Sequence, residues 1–412
     1  FPALSAAWVV SNESFMKSLA WVDALKVRAS YGLTGNNQTS ARYIYNETYG
    51  NSGSYLFGTG SSQSAGFTEK TLANPYVSWE KKRIFNVGFD ATLYKNLSIN
   101  FDIFNEEQSG ILALPYSRIL GIVGASYGNI LPLMNIGKVS NHGFEFKARY
   151  EGKIHDKISY FAEAGTWYAM SKVKEQGEDV QAESYLYKKG NPVWKPIVLE
   201  AEGFYSVDDF DSNGKLKADL PQPQFGHVAP GDIKYKDYNG DKIVNENDAH
   251  PVGNATVPAW NYMFSGGIKY KGFDLSVLFQ GVAQRDIYLR GASVYSFQNN
   301  GTASNLALDS WTTTNPNASY PRLSTVDFSN NYRSSTFWRR NGSFLSLRNI
   351  QVGYELSNAV SHALRLSKVY FYVNATNLFT LDHLGKLGDA EQDNILSYPL
   401  MRTVSVGLRL AF

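Results

Sequence analysis

The feature that most constrains this chain is a hydrophobic period of two residues that returns in segment after segment. In the final stretch, "YPLMRTVSVGLRLAF", Val404, Val406, Leu408, Leu410 and Phe412 share one parity, and Ser405, Gly407, Arg409 and Ala411 share the other. Side chains alternate across a strand, so such a run is a β-strand with one apolar face. "RIFNVGFDATLYK" sets Phe85, Val87, Phe89, Ala91 and Leu93 against Asn86, Gly88, Asp90 and Thr92, and after Lys95-Asn96 the pattern resumes with Leu97, Ile99, Phe101 and Ile103. Two strands parted by about two turn residues make a tight hairpin. "IKYKGFDLSVLFQG" repeats this design around Lys271-Gly272, and "GFEFKARYEG" and "KVYFYVNATN" alternate in the same way. In "SFLSLRNIQVGYEL" the parity flips, from Leu345 and Leu347 to Ile350, Val352 and Tyr354. A β-bulge near Arg348 accounts for the flip; a strand with mixed faces is the alternative.

Eleven strands of this kind are predicted, at 1–12, 22–34, 81–95, 96–104, 141–151, 157–171, 258–270, 273–285, 341–356, 367–379 and 400–412. Short turns near 95–96, 152–156 and 271–272, with medium ones near 13–21 and 357–366, alternate with long polar stretches at about 35–80, 105–140, 173–257, 286–340 and 380–399. Outer-membrane barrels sort their connections in this way, with short periplasmic turns and long outer loops. The predicted fold class is therefore all-β, a membrane-spanning antiparallel β-barrel with long extracellular loops, its last strand running to the periplasmic side. Bacterial single-chain barrels usually have an even strand count. Eleven strands thus imply either one strand unread or a chain that is part of a barrel. The start, "FPALSAAWVVS", has neither a basic n-region nor a cleavage site and reads as mid-strand in a larger protein.

The apolar faces have two possible destinations, a protein core or lipid. The opposite faces carry Asp90, Asn100, Asp102, Glu145, Lys147, Arg149, Asp274 and Gln280. A water-filled interior accommodates such a set, while barrel closure pairs every backbone group that lies in lipid. No apolar run reaches the roughly 18–20 residues of a spanning helix. The absence of cysteine excludes disulfides, thiolate metal sites and cysteine catalysis. A net charge of +2 implies no field directed at nucleic acid.

Several motifs add up to a family resemblance. "FPALSAAWVVSNESFM", "LKVRASYGLTGNN", "NPYVSWEKKRIFNVGFD", "NIGKVSNHGFEF", "PGDIKYKDYNGDKIVNENDAHPVGN", "YKGFDLSVLFQG", "FLSLRNIQVGYEL", "NATNLFT" and the terminal segment resemble, in that order, the barrel of SusC/RagA-type TonB-dependent outer-membrane transporters. The resemblance implies a barrel of about 22 strands, of which residues 1–412 form the C-terminal portion, with the plug domain and TonB box outside this chain. It implies import of oligosaccharides or oligopeptides, energy delivered by TonB through the part not present, and a SusD-like surface lipoprotein as lid. It also implies residence in the bacterial outer membrane, with no enzymatic activity and no required cofactor. Phe412, ending an alternating strand, looks like the signal read by the barrel-assembly machinery.

Three further features bear on chemistry. In "DYNGDKIVNEND", Asp237, Asn239, Asp241, Val244, Asn245 and Asp248 occupy positions 1, 3, 5, 8, 9 and 12 of a loop resembling an EF-hand-like calcium site. Lys242 stands where glycine makes the sharp turn, so an Asp/Asn/Gly-rich β-turn is the alternative to bound Ca²⁺. Tyr185, Tyr187, Trp194, Tyr205, Tyr295, Phe297 and Trp311 lie in long loops and could stack on sugar rings, with Gln298, Asn299 and Asn300 as polar neighbours; loop packing is the competing role. No catalytic set emerges: His142, His155, His227, His250, His362 and His383 are scattered, and Asp208-Asp209 and Glu106-Glu107 read as solvated charge. The rival readings are a secreted all-β glycan-binding or glycan-hydrolysing protein with a calcium loop, and a soluble calcium-dependent adhesin.

Overall fold

The computed structural model describes residues 1–38, 42–59, 63–116, 130–155, 157–292, 294–325, 329–385, 387–392 and 397–412. Parts of the expected long loops, position 156 of one expected turn and the side chain of Asn299 lie outside the described residues.

Eleven strands join one sheet in sequence order, each bonded to the next. They are β1 (Ala3–Val9), β2 (Val22–Asn36), β3 (Glu80–Leu93), β4 (Leu97–Ala113), β5 (Met134–Ile154), β6 (Ile158–Glu175), β7 (Trp260–Tyr270), β8 (Phe273–Ala283), β9 (Phe344–Glu355), β10 (Lys368–Thr376) and β11 (Thr403–Ala411). All eleven predicted strands are present. A short strand, Thr380–Asp382, adds to the start of β9. The chain packs as two compact units, one comprising Phe1–Ala91, Asn100–Phe144 and Ala169–Val193, the other Thr92–Ile99, Glu145–Tyr168 and Trp194–Phe412.

In the first unit, β1 and β2 pair antiparallel from Ala3↔Gly32 to Val9↔Lys26. Arg28 of β2 reaches Asp90 of β3 at 3.1 Å and Asp102 of β4 at 2.5 Å. A cation bridging two carboxylates on neighbouring strands requires all three on one face, the even-numbered, polar face. Strands β4 and β5 extend well past the predicted limits of 96–104 and 141–151. Their extra turns have no apolar periodicity; cross-strand charge pairs hold them instead, Lys82 to Glu106 at 2.8 Å and Lys138 to Glu107 at 3.0 Å. Within the expected 35–80 loop, Thr48–Leu56 and Gln63–Thr71 form a separate hairpin.

In the second unit the hairpin of β7 and β8 closes at Tyr270↔Phe273. Its two turn residues, Lys271 and Gly272, both have positive φ, as a type I′ turn demands. The β3–β4 connection has one residue more than predicted, Tyr94, Lys95 and Asn96, the first two left-handed. Asn96 N closes it on Leu93 O at 3.1 Å, and its side chain donates to Glu151 O at 2.5 Å. Between β8 and β9, Leu278 faces Asn349 while Phe279 faces Leu347, which leaves Arg348 as the surplus residue of a β-bulge. The mixed-face alternative is set aside.

On the apolar face Phe273 and Leu275 of β8, Phe371 and Val373 of β10, Phe264 and Ile268 of β7, and Val406 and Leu408 of β11 stand exposed, while Val369 and Ala375 of β10 are buried. In water each exposed one would forgo about 1.5–3 kcal/mol of burial. The dry core lies elsewhere. Leu199, Tyr205, Ile233, Tyr235, Val244, Leu289, Val294 and Trp338 are almost fully buried, and all belong to the connections between β6 and β7 and between β8 and β9. Stretches expected to be polar loop are thus partly a folded body.

Candidate functional site

The polar wall of the second unit is built by strand parity. Lys269, Asp274, Gln351, Glu355, Lys368 and Tyr370 line a cavity of about 280 Å³. Tyr370 donates to Asp274 Oδ1 at 2.9 Å and receives from Gln351 Nε2 at 3.0 Å. Asp274 Oδ2 is buried without a partner among the described residues. Tyr370 and Tyr372 lie across Gly353 and Gly407, where an added Cβ would strike their rings. Glycine on the polar face of a strand, opposite an aromatic, is the sequence signal that could have located this wall.

The bulge sends Arg348 to the same face. Its guanidinium donates to Gln280 Oε1 at 3.2 Å, Asn377 Oδ1 at 2.9 Å and Glu391 Oε2 at 2.5 Å. Arg285 donates to Ala390 O at 2.6 Å. These two cations fasten the segment after β10, and Leu384 and Ala390 of that segment bury Val282, Ile287 and Phe344. Val282 and Phe344 have the parity of the polar face, so the sequence pattern alone gave no reason for their apolar character.

The folded body between strands is centred on Asp232. Its carboxylate accepts from Ala229 N at 2.8 Å, from Asn331 Nδ2 at 2.8 Å and from Arg322 Nη2 at 2.9 Å. Asn331 in turn accepts from Ile233 N at 2.8 Å, and Asn330 donates to Ile233 O at 2.9 Å. Trp338 Nε1 donates to Asn331 O at 2.8 Å. Buried polar groups are tolerated only when paired in this way. The network joins residues about a hundred positions apart, and no local motif announces it.

The 237–248 loop is organised by its own backbone. Asp237 accepts from Gly240 N and Lys242 N, both at 2.8 Å, and Asp241 accepts from Ile243 N at 2.8 Å. Asp248, fully buried, accepts from Tyr238 N and Asn245 N at 2.8 Å. Asn245 accepts from Asn247 N, and Val244 is buried. These are Asx-type turns. Among the described residues no three His, Asp or Glu side chains gather as a metal site.

The aromatic candidates separate by burial. Tyr205 packs against Phe210, Leu216 and Val228, and burial pushes its phenol well above the usual range. Tyr295 stacks on Tyr332 at 4.3 Å and meets Trp338 edge-on at 5.2 Å; burial pushes its phenol up to about 12. The buried Trp311 ring fills the space a side chain at Gly231 would need. These three are core residues with no ring face open to a sugar. Tyr187 is half-buried and its hydroxyl accepts from Gln181 N at 3.2 Å; Tyr185 and Phe297 are half-buried too. Trp194 alone of the seven presents its ring, 71% exposed on a backbone held at φ 62°. The terminal Phe412 is exposed beyond β11.

Comparison with known proteins bears on the whole arrangement. No protein-family model matches the chain. Over its full length it is 24% identical to TonB-dependent receptor P3 of Formosa agariphila and 23% identical to TonB-dependent receptor SusC of Bacteroides thetaiotaomicron, covering 42% and 40% of those proteins. The chain thus spans about two fifths of the length of the curated relatives it matches. The RagAB peptide transporter superposes with a TM-score of 0.74 at 19% identity, over 100% of this chain and 43% of that one. The chain resembles these SusC-type receptors along its whole length, and its sheet has the fold of part of the RagAB transporter's barrel.

Proposed function

We propose that this chain is the C-terminal portion of the barrel of a TonB-dependent importer in the bacterial outer membrane. In this reading, short turns such as Lys271-Gly272 face the periplasm and the folded connections face outward. The importer takes up oligosaccharides or oligopeptides, with a SusD-like lipoprotein over its outer opening and TonB acting through the rest of the polypeptide. Phe412 is the assembly signal and Trp194 the loop aromatic available to cargo; no catalytic step is assigned.

The observation that carries the reading is the match of the whole of this chain to part of receptors of this kind, together with an eleven-strand sheet with exposed apolar side chains on one face. Apolar rows on one face and ion pairs on the other suit lipid outside and water inside. The test is uptake by cells carrying the full-length protein, with and without TonB, and purification in detergent to identify co-purifying proteins. TonB-dependent accumulation of cargo and a lipidated partner are the expected results. A protein that stays monodisperse in plain buffer, or uptake indifferent to TonB, would remove the proposal.

A further inference from the structure

A groove of about 810 Å³ opens where β2 ends and β3 begins, lined by Asn36, Asn37, Arg42, Tyr43, Tyr45 and Trp79 among others. The sequence nominated none of these residues for binding, although Asn36, Asn37 and Trp79 lie in motifs that carry the resemblance. The rings of Tyr43, Tyr45 and Trp79 are 67%, 47% and 50% exposed. Tyr43 and Tyr45 stand edge to face at 6.3 Å, with Tyr43 held at φ 56°.

The floor beneath them is fixed. Glu80 accepts from Asn36 Nδ2 at 3.1 Å, Gln108 Nε2 at 2.9 Å and Leu112 N at 3.3 Å. Ser78 exchanges hydrogen bonds with the Asn135 side chain, each at 2.8 Å, and Asn74 N donates to Tyr45 O at 3.2 Å. Both oxygens of Glu80, the one carboxylate among the described lining residues, are therefore engaged. Arg42 is exposed, and among the described residues no carboxylate lies within ion-pair distance of it.

We infer that this groove holds an oligosaccharide, its pyranose faces on Tyr43, Tyr45 and Trp79 and its hydroxyl or acidic groups on Arg42 and the neighbouring amides. The inference rests on the import reading above and narrows its cargo. Flat, exposed rings match the C–H faces of a sugar, and a fixed floor with a few polar groups orients the hydroxyl rim. A strand-adding peptide is held chiefly by backbone bonds to a free strand edge, whereas this groove is lined by residues 36–38, 42–45 and 77–80; a proline-rich peptide, which docks in aromatic-lined grooves, is the rival occupant that the peptide arm of the test decides. With its carboxylate satisfied and its guanidinium open, the groove favours uronic-acid chains over neutral ones.

The test is calorimetric titration of the full-length transporter in detergent with neutral oligosaccharides, uronic-acid oligosaccharides and oligopeptides of matched length. An oligosaccharide binds, the acidic chain more tightly, and Tyr43→Ala and Trp79→Ala each weaken it about tenfold or more. Arg42→Ala, a surface change that spares the floor, abolishes the preference for acidic chains. Heat-modifiable migration verifies that each variant has folded; should Trp79→Ala not fold, Tyr43→Ala and Arg42→Ala decide. Oligosaccharide binding undiminished in the folded variants overturns the inference. Peptide binding alone, with TonB-dependent peptide uptake, overturns it and leaves the import reading standing. Uptake of every cargo without TonB removes the import reading itself.

Discussion

Replacing Asp232 with alanine should loosen the folded body between strands without disturbing the sheet. The carboxylate receives one backbone N–H, one amide and one guanidinium N–H, all within 2.9 Å, and is 2% exposed. Breaking a buried, paired charge costs about 3–5 kcal/mol. The Arg322 side chain is 22% exposed, so water relieves part of its loss, and about 3 kcal/mol is the appropriate figure. Local opening then becomes about a hundredfold more frequent, at 1.4 kcal/mol per factor of ten. Hydrogen exchange on the full-length protein in detergent reads this directly. The amides of Ala229 and Ile233, bonded to Asp232 and Asn331, and of Leu199, bonded to Ser334 O, should exchange about a hundredfold faster, while strand amides of β8 stay protected. Asp232→Asn, which keeps the shape, should give a smaller acceleration. Unchanged exchange at all three amides in Asp232→Ala would refute the view that this network holds the connections together.

Other expectations follow from the same geometry. The 237–248 loop closes on its own N–H groups, so Asp237→Ala with Asp241→Ala should raise its exchange equally in calcium and in chelator; a calcium-dependent difference would restore a bound ion as its organiser. Tyr295 and Tyr332 are both pushed up to about 12 by burial, against about 10 in an unfolded chain. Their contribution to stability is therefore complete below pH 10 and is lost as pH rises toward 12. Tyrosinate absorbance of Tyr295→Phe minus wild type checks this, and a difference already complete near pH 10 contradicts it. Val406→Arg should cost about 2–4 kcal/mol if that row meets mid-bilayer lipid, and Ser405→Arg far less; equal costs in denaturant titrations of bilayer-folded protein would refute the assignment of faces.

Much of the sheet was legible in the sequence because one physical rule governs it. Where one face meets oil and the other water, every strand must alternate, and even the bulge showed itself as a parity flip at Arg348. The rule fails where neither face is apolar. The extra lengths of β4 and β5 are held by charge pairs such as Lys82–Glu106 and carry no period. It also fails in the connections, where Asp232 and Asn331 meet across about a hundred residues. Composition could nominate Tyr205, Tyr295 and Trp311 as loop aromatics, but a ring that closes a core and a ring that waits for cargo are the same letter. Tyr43, Tyr45 and Trp79 were missed for the converse reason, since only folding sets them around one hollow.

The surplus residue in β9 has a further consequence. Excising Arg348 would splice Leu347 to Asn349 and give Leu-Ser-Leu-Asn-Ile-Gln-Val, an unbroken alternation. The wall could thus be woven without it, and the added position is spare stitching that lets one strand put forward a three-handed cation while surrendering no place in either row. A deletion, unlike a substitution, would therefore part the two roles: the wall would zip up evenly, and the segment carrying Glu391 would lose one of its two cationic moorings, keeping the one at Arg285.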